Sequence, residues 1–317
     1  MKTSILTCIF LLMTGMTFMG GAARAADVRQ LTVAASINPV TATFIVEQIE
    51  AANSANDAAV MILLDTPGGL DTAMRDIIQA ELNSRIPVIV YVAPQGARAA
   101  SAGALITLAA DFAAMAPGTN IGAAHPVAVG PGDQPDGTMA AKIENDAAAY
   151  ARSLAQKRGR NSDWAEQAVR ESISISAAEA AELSVIDLVA ESPEQLLSEL
   201  DGYKYIRDGQ PLTFTGTGLA IKPVEMNWRQ QILNALSNPT FAYLLMMLGI
   251  LGIFFEISQP GVVLPGAVGA LAILLALFAF SSLPVNYVGV LLILLALILF
   301  ILEVKVVSYG MLSVGGI

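Results

Sequence analysis

The spacing of hydrophobic residues divides the chain into three parts. A short apolar run, residues 5–18, follows Lys2 near the N-terminus. Residues 27–200 alternate between continuous apolar runs and stretches whose apolar residues recur at helical spacing. Residues 241–307 are almost continuously apolar. The pattern therefore predicts a leader segment, an α/β domain and a membrane region.

The middle part alternates strand-like and helix-like segments. Ala59–Leu64 and Val88–Val92 are continuous apolar runs, typical of strands buried on both faces. Thr41–Ala52 and Thr72–Asn83 show helical spacing. Further strands are predicted at 31–35, 113–116 and 186–189, and further helices at 102–110, 138–158, 163–171, 177–183 and after Ser192. This alternation favours a mostly parallel sheet with crossover helices on both faces.

The N-terminal segment is typical of a secretory signal. Ala23-Arg24-Ala25 provides a small-x-small cleavage site, with cutting after Ala25 or Ala26. The apolar run before it is shorter than the roughly 20 residues that span a bilayer. We therefore predict a signal peptide at residues 1–25, with an uncleaved anchor helix as the alternative.

The apolar C-terminal part predicts three membrane spans, because turn residues interrupt it twice and no segment has a polar face. The spans are Phe241–Ile257, Val262–Leu283 and Val288–Val307. We expect the α/β domain, residues 26–201, outside the cytoplasm, in the periplasm or at the cell exterior. Residues 202–240 are expected to be a linker with an amphipathic juxtamembrane piece. The membrane region, 241–317, is expected to be a shortened form.

Composition and charge exclude several classes of function. Only 14% of the residues are charged, against about 25% in soluble domains. The net charge of −10 argues against nucleic-acid binding, which needs a basic face. One cysteine and one histidine cannot build a disulfide framework, a thiolate cluster or a multi-histidine metal site. We therefore predict no metal and no other cofactor.

Three loops follow buried strands, where α/β proteins place their ligands. The first ends in Gly68-Gly69, which lets the backbone approach a bound chain. The second carries Ser101 at the start of a predicted helix, where it is either an accessible hydroxyl or an N-cap. The third is glycine-rich and leads to His125, which could equally be a structural surface residue. The segment 129–137 beyond it is rich in turn formers, and we expect a mobile loop.

These loops resemble those of a known family. Asp65-Thr-Pro-Gly-Gly-Leu70, Ser101-Ala-Gly103 and Met115-Ala-Pro-Gly-Thr-Asn-Ile-Gly122 are similar to motifs of NfeD-type membrane-bound serine proteases. These proteases are relatives of ClpP and the signal peptide peptidases in the ClpP/crotonase superfamily. The resemblance extends from about residue 27 to the end, and includes the pattern from Gly249 to Glu256. It implies a ClpP/crotonase-like α/β domain followed by transmembrane helices.

The resemblance implies a Ser–Lys dyad. Ser101 matches the nucleophile and Lys142 the general base, while Gly68, Gly69 and Ala102 match the oxyanion site. A free lysine has a pKa of about 10.4, so this base works only if burial lowers that pKa. The apolar neighbours of Lys142 favour such a setting, and Glu144 and Asp146 oppose it only if they face the amine.

His125 is the alternative base, because its place after the serine is similar to that of the ClpP histidine. The sequence thus predicts a membrane-anchored serine endopeptidase that cleaves hydrophobic segments. The resemblance implies a stomatin-like membrane partner and a homo-oligomer, and the β-barrel domain of the family's long form is not expected here. The competing hypothesis is a non-catalytic scaffold that binds such a partner, with Ser101 only capping a helix. A pore is disfavoured, because the spans carry no central charge.

Overall fold

The computed structural model describes residues 27–127, 137–207, 210–237, 239–259 and 264–281, together with 295, 296 and 299. The predicted signal peptide, most of the third span and most of the predicted mobile loop lie outside these residues.

A six-stranded parallel sheet forms the centre of the α/β domain, in the order β11-β1-β2-β3-β5-β8. Its strands are β1 (Val28–Ala34), β2 (Ala59–Asp65), β3 (Val88–Val92), β5 (Phe112–Met115), β8 (Leu188–Val189) and β11 (Ile221–Val224). Every residue of β3 is buried, as its continuous apolar pattern predicts. The predicted parallel sheet is therefore confirmed.

Seven helices belong to this domain in the described residues: α1 (Pro39–Ala55), α2 (Asp71–Asn83), α3 (Ala102–Ala109), α4 (Gly137–Arg158), α5 (Ser162–Arg170), α6 (Ala177–Glu182) and α7 (Pro193–Glu199). The first six pack on one face of the sheet, and α7 packs on the other beside Phe214. The described helices therefore lie on both faces of the sheet, as predicted, but six of the seven are on one face. Successive right-handed crossovers place their helices on one face when each strand is added beyond the last, as from β1 to β8.

A second, smaller sheet was not predicted. Its strands are β4 (Arg98–Ala100), β6 (Asn120–Gly122) and β7 (Ser174–Ser176), in the order β4-β6-β7. Three residues per strand are too few for a periodicity of two to stand out in the sequence. This sheet lies at the carboxyl end of the main sheet, because Thr66, which follows β2, forms a bridge with Ala99.

The segment expected to be a linker is largely ordered structure. It contains the hairpin β9 (Lys204–Arg207) and β10 (Gln210–Thr213), and then β11, which pairs in parallel with β1. The edge position of β11 accommodates Pro223, which cannot donate to a neighbouring strand. Only α8 (Trp228–Leu236) corresponds to the expected juxtamembrane piece.

The described membrane region is a helical hairpin of α9 (Pro239–Ser258) and α10 (Leu264–Ser281). By length and composition, Thr240–Ser258 could cross a membrane, and Leu264–Leu277 is a shorter apolar stretch. Glycines let the two helices approach closely, because a Cβ on Gly252 would lie 2.5 Å from the Pro265 carbonyl oxygen.

A buried ionic cluster ties the last part of α4 to the sheet. The Asp111 carboxylate accepts hydrogen bonds from Arg158 at 2.6 Å, from the Val88 N–H at 2.9 Å and from Arg207. Glu81 is buried nearby, and neither of its carboxylate oxygens has a hydrogen-bond partner among the residues that the structure describes. Burial raises the pKa of Glu81 well above its ordinary value, although the nearby Arg158 opposes the shift.

Candidate active site

Main-chain hydrogen bonds bring the three predicted loops together. The Thr66 N–H donates to the Arg98 carbonyl at 2.8 Å, and the Ala100 N–H donates back to the Thr66 carbonyl at 3.1 Å. The Ser101 N–H donates to the Gly122 carbonyl at 2.9 Å. The small sheet thus holds Ser101 between the loop after β2 and the loop after β5.

Ser101 has a strained backbone. Its φ of 53° and ψ of −117° lie in a region that non-glycine residues rarely adopt, at a cost on the order of 1–3 kcal/mol. Its side chain makes no capping hydrogen bond to α3, although it occupies the N-cap position. The interpretation of Ser101 as a helix cap is therefore wrong, and the turn instead presents a partly exposed hydroxyl before a helix N-terminus.

Gly68 packs directly against Ser101. A Cβ added to Gly68 would lie 2.5 Å from Ser101 Cβ and 3.1 Å from its Oγ, and the φ of 108° also disfavours any side chain. The Gly68 N–H is already used, since it donates to the Thr66 hydroxyl at 3.1 Å. Gly68 therefore provides space beside Ser101 rather than a free hydrogen-bond donor.

Gly69 is clamped by the main chain of Ile37, which the sequence analysis did not identify. The Ile37 N–H donates to the Gly68 carbonyl at 2.8 Å, and the Leu70 N–H donates to the Ile37 carbonyl at 2.9 Å. In the part of the chain that the structure describes, the N–H groups of Gly69 and Ala102 donate no hydrogen bond. Gly69 and Ala102 are two of the three residues expected at the oxyanion site, and the third, Gly68, uses its N–H within its own loop. A serine hydroxyl beside unused N–H groups suits attack on a carbonyl carbon.

Lys142 lies near the start of α4 and is exposed, together with Met139 and Ile143. Lys142 and Ser101 both lie in the described ranges 27–127 and 137–207, and no hydrogen bond joins the Lys142 amine to Ser101 there. The two carboxylates that could oppose a neutral amine are held by arginines. Glu144 binds Arg170 at 3.1 Å, and Asp146 binds Arg75 at 2.7 Å. The expected dry setting of Lys142 is thus not formed by the described residues of this chain alone.

His125 is half-buried, and its Nδ1 lies 2.9 Å from the Val169 carbonyl oxygen. Because a carbonyl only accepts, this contact makes Nδ1 the protonated nitrogen. No hydrogen bond to Ser101 is found among the described residues. The same residues contain no group of three or more His, Cys, Asp or Glu side chains placed to hold a metal ion.

Comparison with known families covers almost the whole chain. Residues 27–199 match the family described as NfeD1b, N-terminal domain, and residues 240–317 match the NfeD integral membrane domain. The membrane-bound protease PH1510 of Pyrococcus horikoshii is 37% identical over 274 residues. The membrane protein NfeD1b of Bacillus subtilis is 29% identical over 282 residues. The aligned residues are 85% and 87% of this chain but 62% of each relative.

Solved structures agree with these matches. The 1510-N membrane-bound stomatin-specific protease, with a lysine changed to alanine and a substrate peptide bound, matches at 34% identity and a TM-score of 0.62. The match covers 67% of this chain and 98% of that one. A variant with a serine changed to alanine matches at 36% identity and a TM-score of 0.59, over 63% and 98% of the two chains.

The expected fold, a ClpP-like α/β domain followed by a helical membrane region, is confirmed by these structural matches and by the membrane-domain match. The family predicted from the three loop motifs is confirmed as well. The chain belongs to the NfeD family of membrane proteins.

Proposed function

We propose that the protein is a membrane-anchored serine endopeptidase in which Ser101 is the nucleophile and Lys142 the general base. The observation that carries the proposal is the Ser101 turn, which is strained, uncapped and adjacent to two unused N–H groups. The relatives support it, because PH1510 is a membrane-bound protease and the solved 1510-N structures are of a stomatin-specific protease. The serine and lysine changed in those structures are separated by the same number of residues as Ser101 and Lys142.

The reaction follows from these positions. Ser101 Oγ attacks the peptide carbonyl carbon while Lys142 takes the hydroxyl proton. The N–H groups of Gly69 and Ala102 bind the oxyanion that forms. The C–N bond then breaks, the amine leaves with the proton from Lys142, and an acyl ester remains on Ser101. Water attacks the ester carbonyl carbon while Lys142 accepts a proton from it, and the bond between that carbon and Ser101 Oγ breaks. Lys142 returns the proton to Oγ, and the carboxylic acid is released.

The setting of Lys142 favours hydrophobic substrates. Met139 and Ile143 are 50% and 44% exposed on the same part of α4. An apolar peptide segment laid over them would remove water from the amine, and loss of water favours the neutral form of lysine that can act as a base. We infer that substrate binding completes the dyad.

Partner and location follow from the same proposal. A stomatin-like membrane protein is the proposed substrate partner, because the 1510-N relatives are specific for one. We propose a multi-pass protein whose protease domain lies in the periplasm or outside the cell, and a homo-oligomeric assembly.

A fluorophosphonate probe and a peptide-library digest, both on the full chain in lipid, test the proposal. Ser101→Ala should abolish labelling and cleavage, and Lys142→Ala should abolish cleavage. Lys157→Ala is the matched control, because it removes an exposed lysine from the other end of the same helix. If His125→Ala is inactive while Lys142→Ala cleaves, the base is histidine. If wild type neither labels nor cleaves, the scaffold hypothesis replaces the peptidase.

A further inference from the structure

Helix α8 turns its polar side toward the α/β domain. Gln230 Nε2 donates to Glu47 Oε2 at 3.1 Å, and one turn later Asn234 Oδ1 accepts from Asn38 Nδ2 at 2.9 Å. Both partners belong to α1 or its N-cap. A surface helix of a soluble protein packs its apolar side on the core, so this arrangement is the reverse of the usual one.

The apolar side of α8 faces away from the domain. Trp228 is 65% exposed, Ile232 52% and Leu233 37%. Trp228 and Ile232 are one turn apart, so they lie on the same side of the helix. The Arg229 guanidinium lies 5.2 Å from the centre of the Trp228 ring, which places a cation beside this apolar surface.

The position of α8 identifies what covers this surface. α9 begins at Pro239, just after α8 ends at Leu236, and the NfeD integral membrane domain begins at residue 240. Leu236 packs against a small apolar cluster formed by Ala242 near the start of α9 and by Ala276 and Ala279 near the end of α10. A helix of nine residues is about 13 Å long, so all of α8 lies close to the end of the membrane hairpin. Tryptophan is enriched at that depth, where an amphipathic helix lies with its apolar side in lipid.

The polar side of α8 also reaches the candidate active site. Asn38, which Asn234 contacts, is buried and follows Ile37, whose main chain clamps the Gly68–Leu70 segment. The same Asn38 side chain accepts from the Val40 and Thr41 N–H groups and so fixes the start of α1. A movement of α8 would therefore be transmitted through Asn38 to the segment Gly68–Leu70, which we call the glycine loop.

We propose that α8 lies in the headgroup layer of the bilayer with Trp228, Ile232 and Leu233 in lipid. Through the Asn234–Asn38 hydrogen bond it holds the glycine loop beside Ser101 in place. Asn234 is thus a positioning residue for the active site. This second role rests on the proposed function, whereas the location of α8 does not.

The depth of Trp228 can be measured in the full chain. The sequence has two tryptophans, and Trp164 is 4% exposed, so Trp164→Phe leaves Trp228 as the sole reporter. In phosphatidylcholine vesicles, lipids brominated near the headgroup should quench its fluorescence more than lipids brominated deep in the chain, and iodide should quench it weakly. Trp228→Phe is the control, in which the buried Trp164 responds to neither. Strong iodide quenching without bromine quenching overturns the proposal, and so does shielding from both quenchers, which would indicate a protein partner such as a second copy.

The link to the glycine loop has its own test. In Asn234→Ala, amide hydrogen exchange in residues 66–70 should accelerate several-fold, and kcat should fall several-fold with KM unchanged. Asn234→Asp keeps the acceptor and should restore both values, while Gln231→Ala, whose side chain donates to the Met226 carbonyl of its own segment, should change neither. Unchanged exchange in Asn234→Ala overturns the link. A wild type without peptidase activity would instead refute the proposed function, and leave the exchange and fluorescence measurements valid.

Discussion

Replacing Gly69 by alanine is the sharpest test of the proposed oxyanion site. The added Cβ would lie 1.9 Å from the Ile37 carbonyl oxygen, 2.6 Å from its carbon and 2.7 Å from the Ile37 nitrogen. All three are backbone atoms, so no flexible side chain can move aside. The loop must separate from residue 37 and lose the two hydrogen bonds that join them.

The magnitudes follow from those contacts. At about 1 kcal/mol for each hydrogen bond, the free energy of unfolding should fall by about 2 kcal/mol. The displaced Gly69 N–H no longer points at the oxyanion, and removal of one such donor costs about 10²–10³ in kcat. The loss of activity should therefore far exceed what partial unfolding explains.

Cleavage kinetics and urea unfolding of the same preparations separate the two effects. Gly159→Ala is the matched control, because its φ of 71° is unfavourable for alanine while the space around its Cβ is open. It should lose about 1–2 kcal/mol of stability and keep its kcat. If Gly69→Ala retains a kcat within about threefold of wild type, the Gly69 N–H is not an oxyanion donor and the reasoning about this loop fails.

Three further predictions concern stability. Because burial raises the pKa of Glu81, the folded chain keeps a proton that the unfolded chain releases above about pH 4.5. The contribution of this residue to the free energy of unfolding therefore falls as pH rises, by at most about 1.4 kcal/mol per pH unit. In urea unfolding from pH 5 to 8, the free energy of unfolding of Glu81→Gln should rise relative to that of wild type as pH increases. A constant difference between the two proteins would contradict this. Asp111→Ala leaves two arginines buried without their carboxylate and should cost about 3–5 kcal/mol in urea unfolding; a loss below about 1 kcal/mol would show that the cluster relaxes. Ser176→Ala removes the capping box of α6 and should cost about 1 kcal/mol by the same measurement, and an unchanged midpoint would refute it.

The sequence predicts the main sheet well, because β2 and β3 are buried on both faces and their short, continuous apolar runs are typical of such strands. It does not predict β4, β6 and β7, whose short strands depend on contacts between distant loops. β11 is missed for a related reason. An edge strand containing Pro223 has the composition of a linker, and only its pairing with β1 shows otherwise.

In the candidate site, too, the sequence predicts the features that depend on residue type and misses those that depend on backbone contacts. Sequence motifs predict that the loops of Gly68, Ser101 and His125 lie near one another, and main-chain hydrogen bonds of Thr66 and Gly122 bring all three together. The Ile37 clamp acts through its backbone, so no residue type in the sequence indicates it. The strain at Ser101 is equally invisible in the sequence, because it arises from the hydrogen bonds that fix the turn on both sides.

The structure separates a rigid half of the site from an exposed half. Ser101 and its two unused donors are fixed by hydrogen bonds from three loops, whereas Lys142 stands in solvent at the start of α4. A lysine in water is protonated at neutral pH and cannot accept a proton, so on the proposed mechanism the rigid half alone lacks a working base. A bound apolar segment would supply what is missing by excluding water around the amine. On the proposed mechanism, a preference for hydrophobic substrates and the assembly of the dyad have one physical cause, and we expect no cleavage whenever that surface of α4 is exposed to water.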